Sequence, residues 1–431
     1  METETRRIPL GPTEKYSSSD DLLDWLGKHF VEFGDIYRAS IYGADVYVIS
    51  APDYVEHVLL KNWQNYPKGF AIKRIALLLG NGLMVSKGDL WKRQRRMIQP
   101  AFNRAALSEL TGIITAANQR LLDKWANAAR AEEAINITRD ISLTILEIVL
   151  LSIFGEDYEE VAPHFRLVSE EAARDLQFAH VFNMLGSRIV EIAAKRRRQN
   201  RKAKDFLGMM MEARDRDSGQ GMSDAQLTKE VMTLIVAGHE TTASTLNWMW
   251  YLLAQNPHVQ TKLSAELNNR SAEEIRSPKD LEHFVYPRMV IDEALRLYPP
   301  GWLMTRRAVT DDHIGEYFVP AGTEVYISPY YIQRNPHLWA APDVFNPDRF
   351  DPAAQMDTDP LALLPFSVGP RNCIGEHLAR LEMEIHLIMI ARRLRLRRLD
   401  RDEPAMAAGV NLLSARDFTM QAELIETKWS A

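Results

Sequence analysis

A single cysteine lies in the most informative segment of the chain, FSVGPRNCIG over residues 366–375. A lone cysteine is commonly a small buried hydrophobic residue, but Cys373 stands just before EHLARLEMEIHLIMIARRL, an amphipathic segment that predicts a helix. The unpaired N–H groups and positive dipole end of that helix favour a thiolate. Gly369 and Gly375 let the backbone pass close to a flat ligand. The pattern therefore predicts a thiolate that ligates the metal of a flat cofactor.

A second segment conflicts with the helix in which it lies. Residues 227–254 form a long apolar stretch with helical spacing, yet they contain Ala237-Gly-His-Glu-Thr-Thr242. Glycine weakens a helix, and a threonine hydroxyl can bond back to a carbonyl and bend the helix. A local conflict of this kind is typical of a functional site.

Charged and aromatic residues recur elsewhere at helical spacing. Glu293 and Arg296 are three residues apart, which alone indicates only a surface salt bridge of little energetic value. Trp91 and Arg95 are four residues apart, and Arg349 lies within the turn-like sequence PDRF. Arginine suits an anion site because its fork pairs bidentately with carboxylates.

Together these segments resemble the signatures of the cytochrome P450 family. The spacing F-x-x-G-x-R-x-C-x-G matches the family's haem-binding signature at every fixed position, and the other three motifs occur in the family's order. The resemblance covers nearly the whole chain, from the hairpin near Tyr42 to the segment around Phe418. It implies haem b with Cys373 as the axial ligand, a thiolate bond that favours O–O cleavage.

The resemblance also implies a role for each motif residue. Glu240 and Thr241 are implied to be an acid–alcohol pair that relays protons, with a packing role as the alternative. Glu293, Arg296 and Arg349 are implied to form a structural charge network. The residues implied to bind the haem are Trp91, Arg95, Arg306, Phe366, Gly369, Arg371, Cys373 and Gly375.

The elements that must position these residues are mostly helical. The sequence predicts a helix over residues 22–33 and a hairpin over 35–50. Nearly every window over 52–298 has helical periodicity. Short strands are predicted over 300–330, and a last helix over 376–396. We find no repeat or linker, so we expect residues 1–431 to form one large domain, mainly α with small β-sheets, with about the first 20 residues poorly ordered. The resemblance implies the family's triangular prism.

Composition excludes several other classes. The 431 residues are 46% hydrophobic and 26% charged, which is typical of a globular protein. The net charge of −6 gives no reason to expect a nucleic-acid partner, and the basic run over 195–204 is interpreted as a solvated helix end. The polar N-terminus, the absence of a membrane-spanning apolar run and the single cysteine predict a cytoplasmic protein. We expect a monomer.

The implied function is haem-dependent monooxygenation, in which one oxygen atom from O2 enters an apolar organic substrate by hydroxylation or epoxidation. The chain has no spare cysteines for an iron–sulfur cluster, so electrons from NAD(P)H are expected through a separate ferredoxin or flavodoxin. Candidates for its docking face are Lys92, Arg93, Arg96 and Arg104, with a solvated helix face as the alternative. The rival classes are a peroxide-driven peroxygenase, a haem-based sensor or gas carrier, and a helical binding protein without haem.

The sequence departs from the family pattern in places that concern the substrate. Gln333 stands where many members have histidine, and Trp302 replaces a common proline. Residues 154–195 lack an expected proline-rich stretch, which predicts either a shortened roof, open to a bulky or carrier-tethered substrate, or an ordinary closed pocket. Candidates for an apolar pocket lining, each of which could equally be core, are Phe70, Leu78, Phe178, Leu234, Ala237, Leu303 and Phe418.

Overall fold

The computed structural model describes residues 7–17, 21–163, 175–268, 275–354, 358–400 and 402–425. The side chains of residues 73, 74, 78 and 175–183 lie outside this description. The described chain is mainly helical, carries small β-sheets and divides into two compact units. The predicted fold class is confirmed, whereas the single-domain organisation stays a prediction.

Helices make up most of the described chain. They are α1 (Leu22–Phe33), α2 (Pro52–Glu56), α3 (Ile72–Leu79), α4 (Gly88–Ile98), α5 (Arg104–Arg130), α6 (Ile137–Phe154), α7 (Asp175–Arg198), α8 (Phe206–Glu212), α9 (Asp224–Gln255), α10 (Pro257–Asn268), α11 (Val285–Leu297), α12 (Pro329–Ile332) and α13 (Glu376–Ala391). Side-chain caps determine where several of them begin, since Asn103, Asn136 and Ser223 each accept the N–H three residues on, at α5, α6 and α9.

The strands are short. They are β1 (Ile36–Ile41), β2 (Ala44–Ile49), β3 (Ala134–Asn136), β4 (Met304–Arg307), β5 (Asp312–Ile314), β6 (Tyr317–Val319), β7 (Glu324–Ile327), β8 (Leu394–Arg398), β9 (Met406–Ala408), β10 (Leu412–Ser414) and β11 (Thr419–Leu424). The predicted hairpin over 35–50 is β1 and β2, joined by Tyr42 and Gly43 at φ 50° and 77°. A two-residue hairpin turn needs such positive φ angles.

The sheet-rich unit consists of Met1–Lys73, Asp292–Cys373 and Ala405–Ala415. Its largest sheet has the strand order β1-β2-β7-β4, in which β7 runs parallel to β2 and antiparallel to β4. Two-stranded sheets form from β5 with β6 and from β9 with β10. Val325 and Ile327 of β7 are fully buried in the core of this unit. This core fixes the backbone of β4, which carries Arg306.

The helical unit consists of Arg74–Ile291, Ile374–Pro404 and Arg416–Ala431. Within it α9 packs against α6 and α13 packs against α5, beside a small sheet of order β3-β11-β8. Its core includes the fully buried Trp125, Trp248 and Trp250. Among the described helices, none combines the length and the apolar character that a membrane crossing requires.

Two element boundaries differ from the sequence prediction. The helix predicted over 376–396 ends at Ala391, and the chain continues into β8. Leu394 and Leu396 are buried while Arg395 and Arg397 point outward, so the period of two overrode a helical pattern that fitted the same leucines. Within the predicted helical region 52–298, residues of β3 pair with β11.

The predicted roof lies partly outside the described residues. Residues 158–163 are helical, and α7 begins at Asp175. Residues 164–174, which join them, lie outside the described part of the chain. The open-roof hypothesis therefore stays a prediction.

The basic run over 195–204 closes a buried network in the helical unit. Arg196 is fully buried and donates to Asp157 at 2.7 Å, to both Asp205 oxygens at 2.7 and 2.8 Å, and to the carbonyl of Phe154. Arg197 pairs with Asp224 at 2.6 Å. The run is a helix end, as the interpretation held, but the expectation that it is solvated is wrong for Arg196, whose buried charge pairs with Asp157 and Asp205.

Candidate active site

The Cys373 loop is held by main-chain contacts within the sheet-rich unit. The Cys373 N–H donates to the carbonyl of Phe366 at 2.9 Å, and Asn372 N–H closes a short turn onto Gly369 at 3.0 Å. Gly369 has φ 76°, and a Cβ there would lie 2.3 Å from the carbonyl oxygen of Leu59. Only glycine meets both conditions. Cys373 is exposed, which leaves its sulfur accessible to a ligand.

Three cations gather in the same unit. Arg306 on β4 is buried, and Lys68 forms a backbone bridge with it. Burial and then the charges of Arg306 and Arg371 lower the pKa of Lys68 to about 7, while Cys373 opposes this effect. Burial lowers the pKa of both arginines to about 10. Such a cluster calls for an anion, and the two propionates of haem b fit it.

Lys68 was not predicted from the sequence. It belongs to no motif, and its position follows from the antiparallel bridge to Arg306 and the Gly69 N–H bond to the carbonyl of Thr305. The only local signal is the Pro67-Lys-Gly69 sequence, which indicates a tight extended turn.

The motif Trp91-Arg95 lies on α4 of the helical unit. Trp91 is buried, and Arg95 is half-buried with its Nε 3.4 Å from Gln99 Oε1. The two residues share one helix face, as their spacing predicts. Their haem-binding role stays a prediction.

The proposed proton-relay pair lies on an unbroken α9. The Thr241 hydroxyl donates to the Ala237 carbonyl at 2.8 Å, the back-bond that the sequence suggested. Glu240 is exposed, whereas Thr242 is buried. The Thr241 hydroxyl proton is therefore engaged by the helix, and its oxygen remains able to accept a proton.

His239 and Gly238 hold this part of α9 against α6. His239 Nε2 lies 3.0 Å from the Ser142 hydroxyl and 3.1 Å from the Ser142 carbonyl oxygen. Burial lowers the pKa of His239, against the opposing effect of Glu240, so the imidazole is neutral at pH 7. A Cβ at Gly238 would approach Val149 to 3.3 Å, so the two helices pack closely here.

The predicted charge network is built in the sheet-rich unit. Glu293 and Arg296 are fully buried, and the two side chains form a bidentate pair at 2.6 and 2.9 Å. Arg349 Nε donates to the same carboxylate at 2.9 Å. Arg296 also donates to the carbonyls of Gln333 and Pro342 at 2.6 and 2.7 Å. The geometry is that of a buried brace and not of a surface salt bridge.

Gln333 fills a structural role at the position where histidine was expected. Its side-chain amide donates to the carbonyls of Leu295 and Arg296 at 3.1 and 2.8 Å, and its oxygen accepts the Leu364 N–H at 2.7 Å. Trp302 is buried and donates to the Gly409 carbonyl at 3.0 Å.

The apolar lining candidates lie in different surroundings. Phe70 is 47% exposed, Leu234 and Ala237 are half-buried on α9, and Leu303 packs against the core of its own unit. Phe418 is buried, with its ring 5.3 Å from Tyr251 and 5.4 Å from Trp248, which is a core position. The side chains of Leu78 and Phe178 lie outside the described residues.

The comparisons with known proteins agree on one family. A family model described as cytochrome P450 matches residues 10–169 and 160–417. Cyclooctatin synthase from Streptomyces melanosporofaciens is 31% identical over 394 residues, covering 84% of this chain and 83% of the relative. Cyclooctat-9-en-7-ol 5-monooxygenase from the same organism is 31% identical over 387 residues, again covering 84% and 83%. A structure of cyanobacterial CYP120A1 with retinoic acid bound has a TM-score of 0.87 at 22% identity, covering 97% of this chain and 100% of that one.

The chain belongs to the cytochrome P450 family. It is a haem-dependent monooxygenase, an oxidoreductase that uses O2 and acts on apolar organic substrates. The family holds its haem by a cysteine thiolate and works with a redox partner.

Proposed function

We propose that this chain hydroxylates or epoxidises a bulky isoprenoid, with Cys373 as the haem ligand and Glu240 and Thr241 as the proton relay. The observation that supports the cofactor site best is the cluster of Lys68, Arg306 and Arg371. Three neighbouring cations that repel each other, of which Arg306 is buried and Lys68 and Arg371 are half-buried, suit a ligand with two carboxylates. Cys373 is close enough to affect the pKa of Lys68. Trp91 and Arg95 are proposed as further haem contacts. Phe366, Gly369 and Gly375 are proposed to give the cysteine loop the shape that haem binding requires.

The substrate class follows from the relatives. The name of one bacterial relative gives cyclooctat-9-en-7-ol as its substrate, and the cyanobacterial structure holds retinoic acid. Both ligands are large apolar skeletons with one polar group. Half-buried Leu234, Ala237 and Leu303 could contact such a skeleton.

The cysteine loop has to present one sulfur in a fixed place. When bound, haem supplies the iron that activates O2, and a thiolate ligand strengthens that chemistry. The bond from Cys373 N–H to Phe366 and the contact of Gly369 with Leu59 hold the loop in one conformation. The loop therefore presents the Cys373 sulfur from a fixed backbone.

The relay has to carry protons from solvent. Glu240 is exposed and can exchange protons with water, and Thr241 is the next residue on α9. The Thr241 hydroxyl donates to the Ala237 carbonyl, so passing its proton on breaks that hydrogen bond while the oxygen takes up a replacement proton that started on Glu240. The pair therefore supplies one defined path for protons and limits unproductive release of reduced oxygen.

Electrons are proposed to come from NAD(P)H through a ferredoxin or flavodoxin to a monomeric enzyme. The candidate basic face on α4 is largely neutralised: Lys92 pairs with Asp89 at 3.3 Å, and Arg96 with Asp215 and Asp217 at 3.0 and 2.6 Å. Arg104 is exposed. Internal pairing favours the solvated-face alternative for most of these charges.

The proposal is tested with the haem-loaded protein, a ferredoxin, its reductase, NADPH and isotopically labelled O2. Cyclooctat-9-en-7-ol, retinoic acid and a long-chain fatty acid are offered in parallel, with Cys373→Ser as the control. We expect one labelled oxygen atom in an isoprenoid product and none with the control. Oxidation of the fatty acid alone would refute the substrate class, and turnover that needs peroxide instead of O2 and NADPH would indicate a peroxygenase.

A further inference from the structure

A buried carboxyl group outside the proposed relay joins α9 to the turn over residues 80–86. Glu230 is 0% exposed, and its Oε2 accepts the Leu83 N–H at 2.8 Å. Its other oxygen has no hydrogen-bond partner among the described residues. Burial of a carboxyl group is costly, so its retention here indicates a role that an apolar side chain cannot fill.

The 80–86 turn lies directly on the backbone of α9. A Cβ at Gly82 would stand 2.1 Å from Thr233 Oγ1 and 2.9 Å from the Lys229 carbonyl oxygen. Gly80 has φ 58°, and a Cβ there would approach the Lys229 side chain to 3.1 Å. Both glycines are therefore required for the close approach, and Glu230 supplies its hydrogen bond.

The turn also controls the end of α3. The Gly80 N–H donates to Ala76 in the last turn of α3 at 2.9 Å, and the Val85 N–H closes the turn onto Gly82 at 2.9 Å. From the other side, the buried Gln94 donates to the Asn81 carbonyl at 2.7 Å. A shift of the turn would therefore be transmitted to α3.

We propose that Glu230 is a positioning residue for substrate binding: it anchors the 80–86 turn to α9 and so fixes the end of α3. This inference rests on the proposed function in one respect: it takes α3, which carries the lining candidate Leu78, to contact the bound substrate. Glu230 does not touch the reacting atoms. By fixing α3, Glu230 determines the space available to a large bound ligand. The binding of a small ligand to the iron should not depend on Glu230.

The ionisation of Glu230 provides a second test of the anchor between the 80–86 turn and α9. Burial raises its pKa to about 7, while the Leu83 N–H, Gln226 and Lys229 lower it. Lys229 is the charged group among these, and the 80–86 turn carries none. An ionised carboxylate accepts a stronger hydrogen bond than a neutral acid, so the Leu83 bond should strengthen as the pH rises through 7.

The experiment compares the haem-loaded wild type with Glu230→Gln, Glu230→Leu and Gly82→Ala. Hydrogen exchange of the 80–86 segment is measured first, because it does not depend on turnover. We expect Glu230→Leu to lose about tenfold of the Leu83 protection, the effect of one hydrogen bond, whereas Glu230→Gln keeps most of it. Only the wild type should gain protection between pH 6 and 8. Glu382→Leu, which removes another buried carboxyl group of the same unit, is the matched control.

The second measurement uses two iron-binding probes of different size, imidazole and clotrimazole. Glu230→Leu and Gly82→Ala should raise the clotrimazole Kd by about three- to tenfold and leave the imidazole Kd unchanged, since we expect only the large probe to contact α3. Unchanged Leu83 protection in Glu230→Leu would overturn the anchor. An equal clotrimazole effect in Glu382→Leu, or no effect in Glu230→Leu, would overturn its role in binding. Failure of the isoprenoid assay would leave both measurements valid, so the two proposals fail separately.

Discussion

Glu382→Gln tests how a buried acid next to the relay segment makes stability depend on pH. Glu382 lies on α13, is 2% exposed, and accepts a hydrogen bond from the Thr242 hydroxyl of α9. One of its oxygens has no partner among the described residues. Burial raises its pKa from 4.5 to about 8, against the effect of Thr242. The folded protein therefore holds this group as a neutral acid at pH 7.

The direction and size of the effect follow from linkage. Because the pKa of Glu382 is raised in the folded protein, its contribution to the free energy of unfolding is fully present below pH 4.5 and is lost as the pH rises towards 8. At about 1.36 kcal/mol per pKa unit, this loss changes the free energy of unfolding by at most about 5 kcal/mol. Between pH 5.5 and 7 the wild type should lose about 2 kcal/mol relative to Glu382→Gln, which keeps the Thr242 bond and cannot ionise.

Urea unfolding followed by tryptophan fluorescence measures this difference at pH 5.5, 7 and 8.5. The midpoint of Glu382→Gln should rise relative to wild type with pH and level off above pH 8. Glu132→Gln, which changes an exposed glutamate of the same unit, should follow the wild type at each pH. Parallel curves for wild type and Glu382→Gln would show that Glu382 is ionised in the folded protein and refute the reasoning.

The other predictions concern the ligand, the relay, the brace and the cation cluster. Cys373→Ser should abolish O2-dependent product and the thiolate spectrum of the CO-treated reduced protein, and full turnover would place the ligand elsewhere. Thr241→Ala should keep its haem while product per NAD(P)H falls about tenfold or more in favour of peroxide; an unchanged ratio would assign Thr241 to packing. Arg296→Met should lower the unfolding free energy by about 3–5 kcal/mol, because Glu293 keeps a buried charge, and a loss below 1 kcal/mol would contradict the brace. Lys68→Met should speed haem transfer to apomyoglobin about tenfold, with an unchanged rate as the contrary result.

The parts of the fold that the sequence predicted are those with strong periodicity or a demanding turn. The helix α1 has the predicted limits, since apolar spacing and the Asp21 cap agree there. The strand β8 was missed because Leu394 and Leu396 fit both a helix face and a strand face, and only the partner strand β11 decides between them. Short strands depend on distant partners that one sequence does not reveal.

The candidate site likewise contains residues that the sequence predicted and residues that it did not. The brace of Glu293, Arg296 and Arg349 was predicted from spacing and resemblance and is present in the structure. Lys68 could not be predicted, because strand pairing and not a motif brings it to Arg306. For Phe418 the sequence left pocket lining and core equally open, and in the structure its buried ring stacks on Tyr251.

The contact between Gly369 and the carbonyl of Leu59 has a consequence for how this enzyme can change. Main chain rests on main chain at this point, so the contact is already at its closest and any side chain at position 369 would force the loop away from Leu59. Substitutions can therefore tune the reactivity of the sulfur only through its surroundings, by polarity, hydrogen bonding or the shape of the cavity. Laboratory evolution of this protein should accumulate mutations around an unchanged loop, and new substrates should be acquired without altering the redox chemistry.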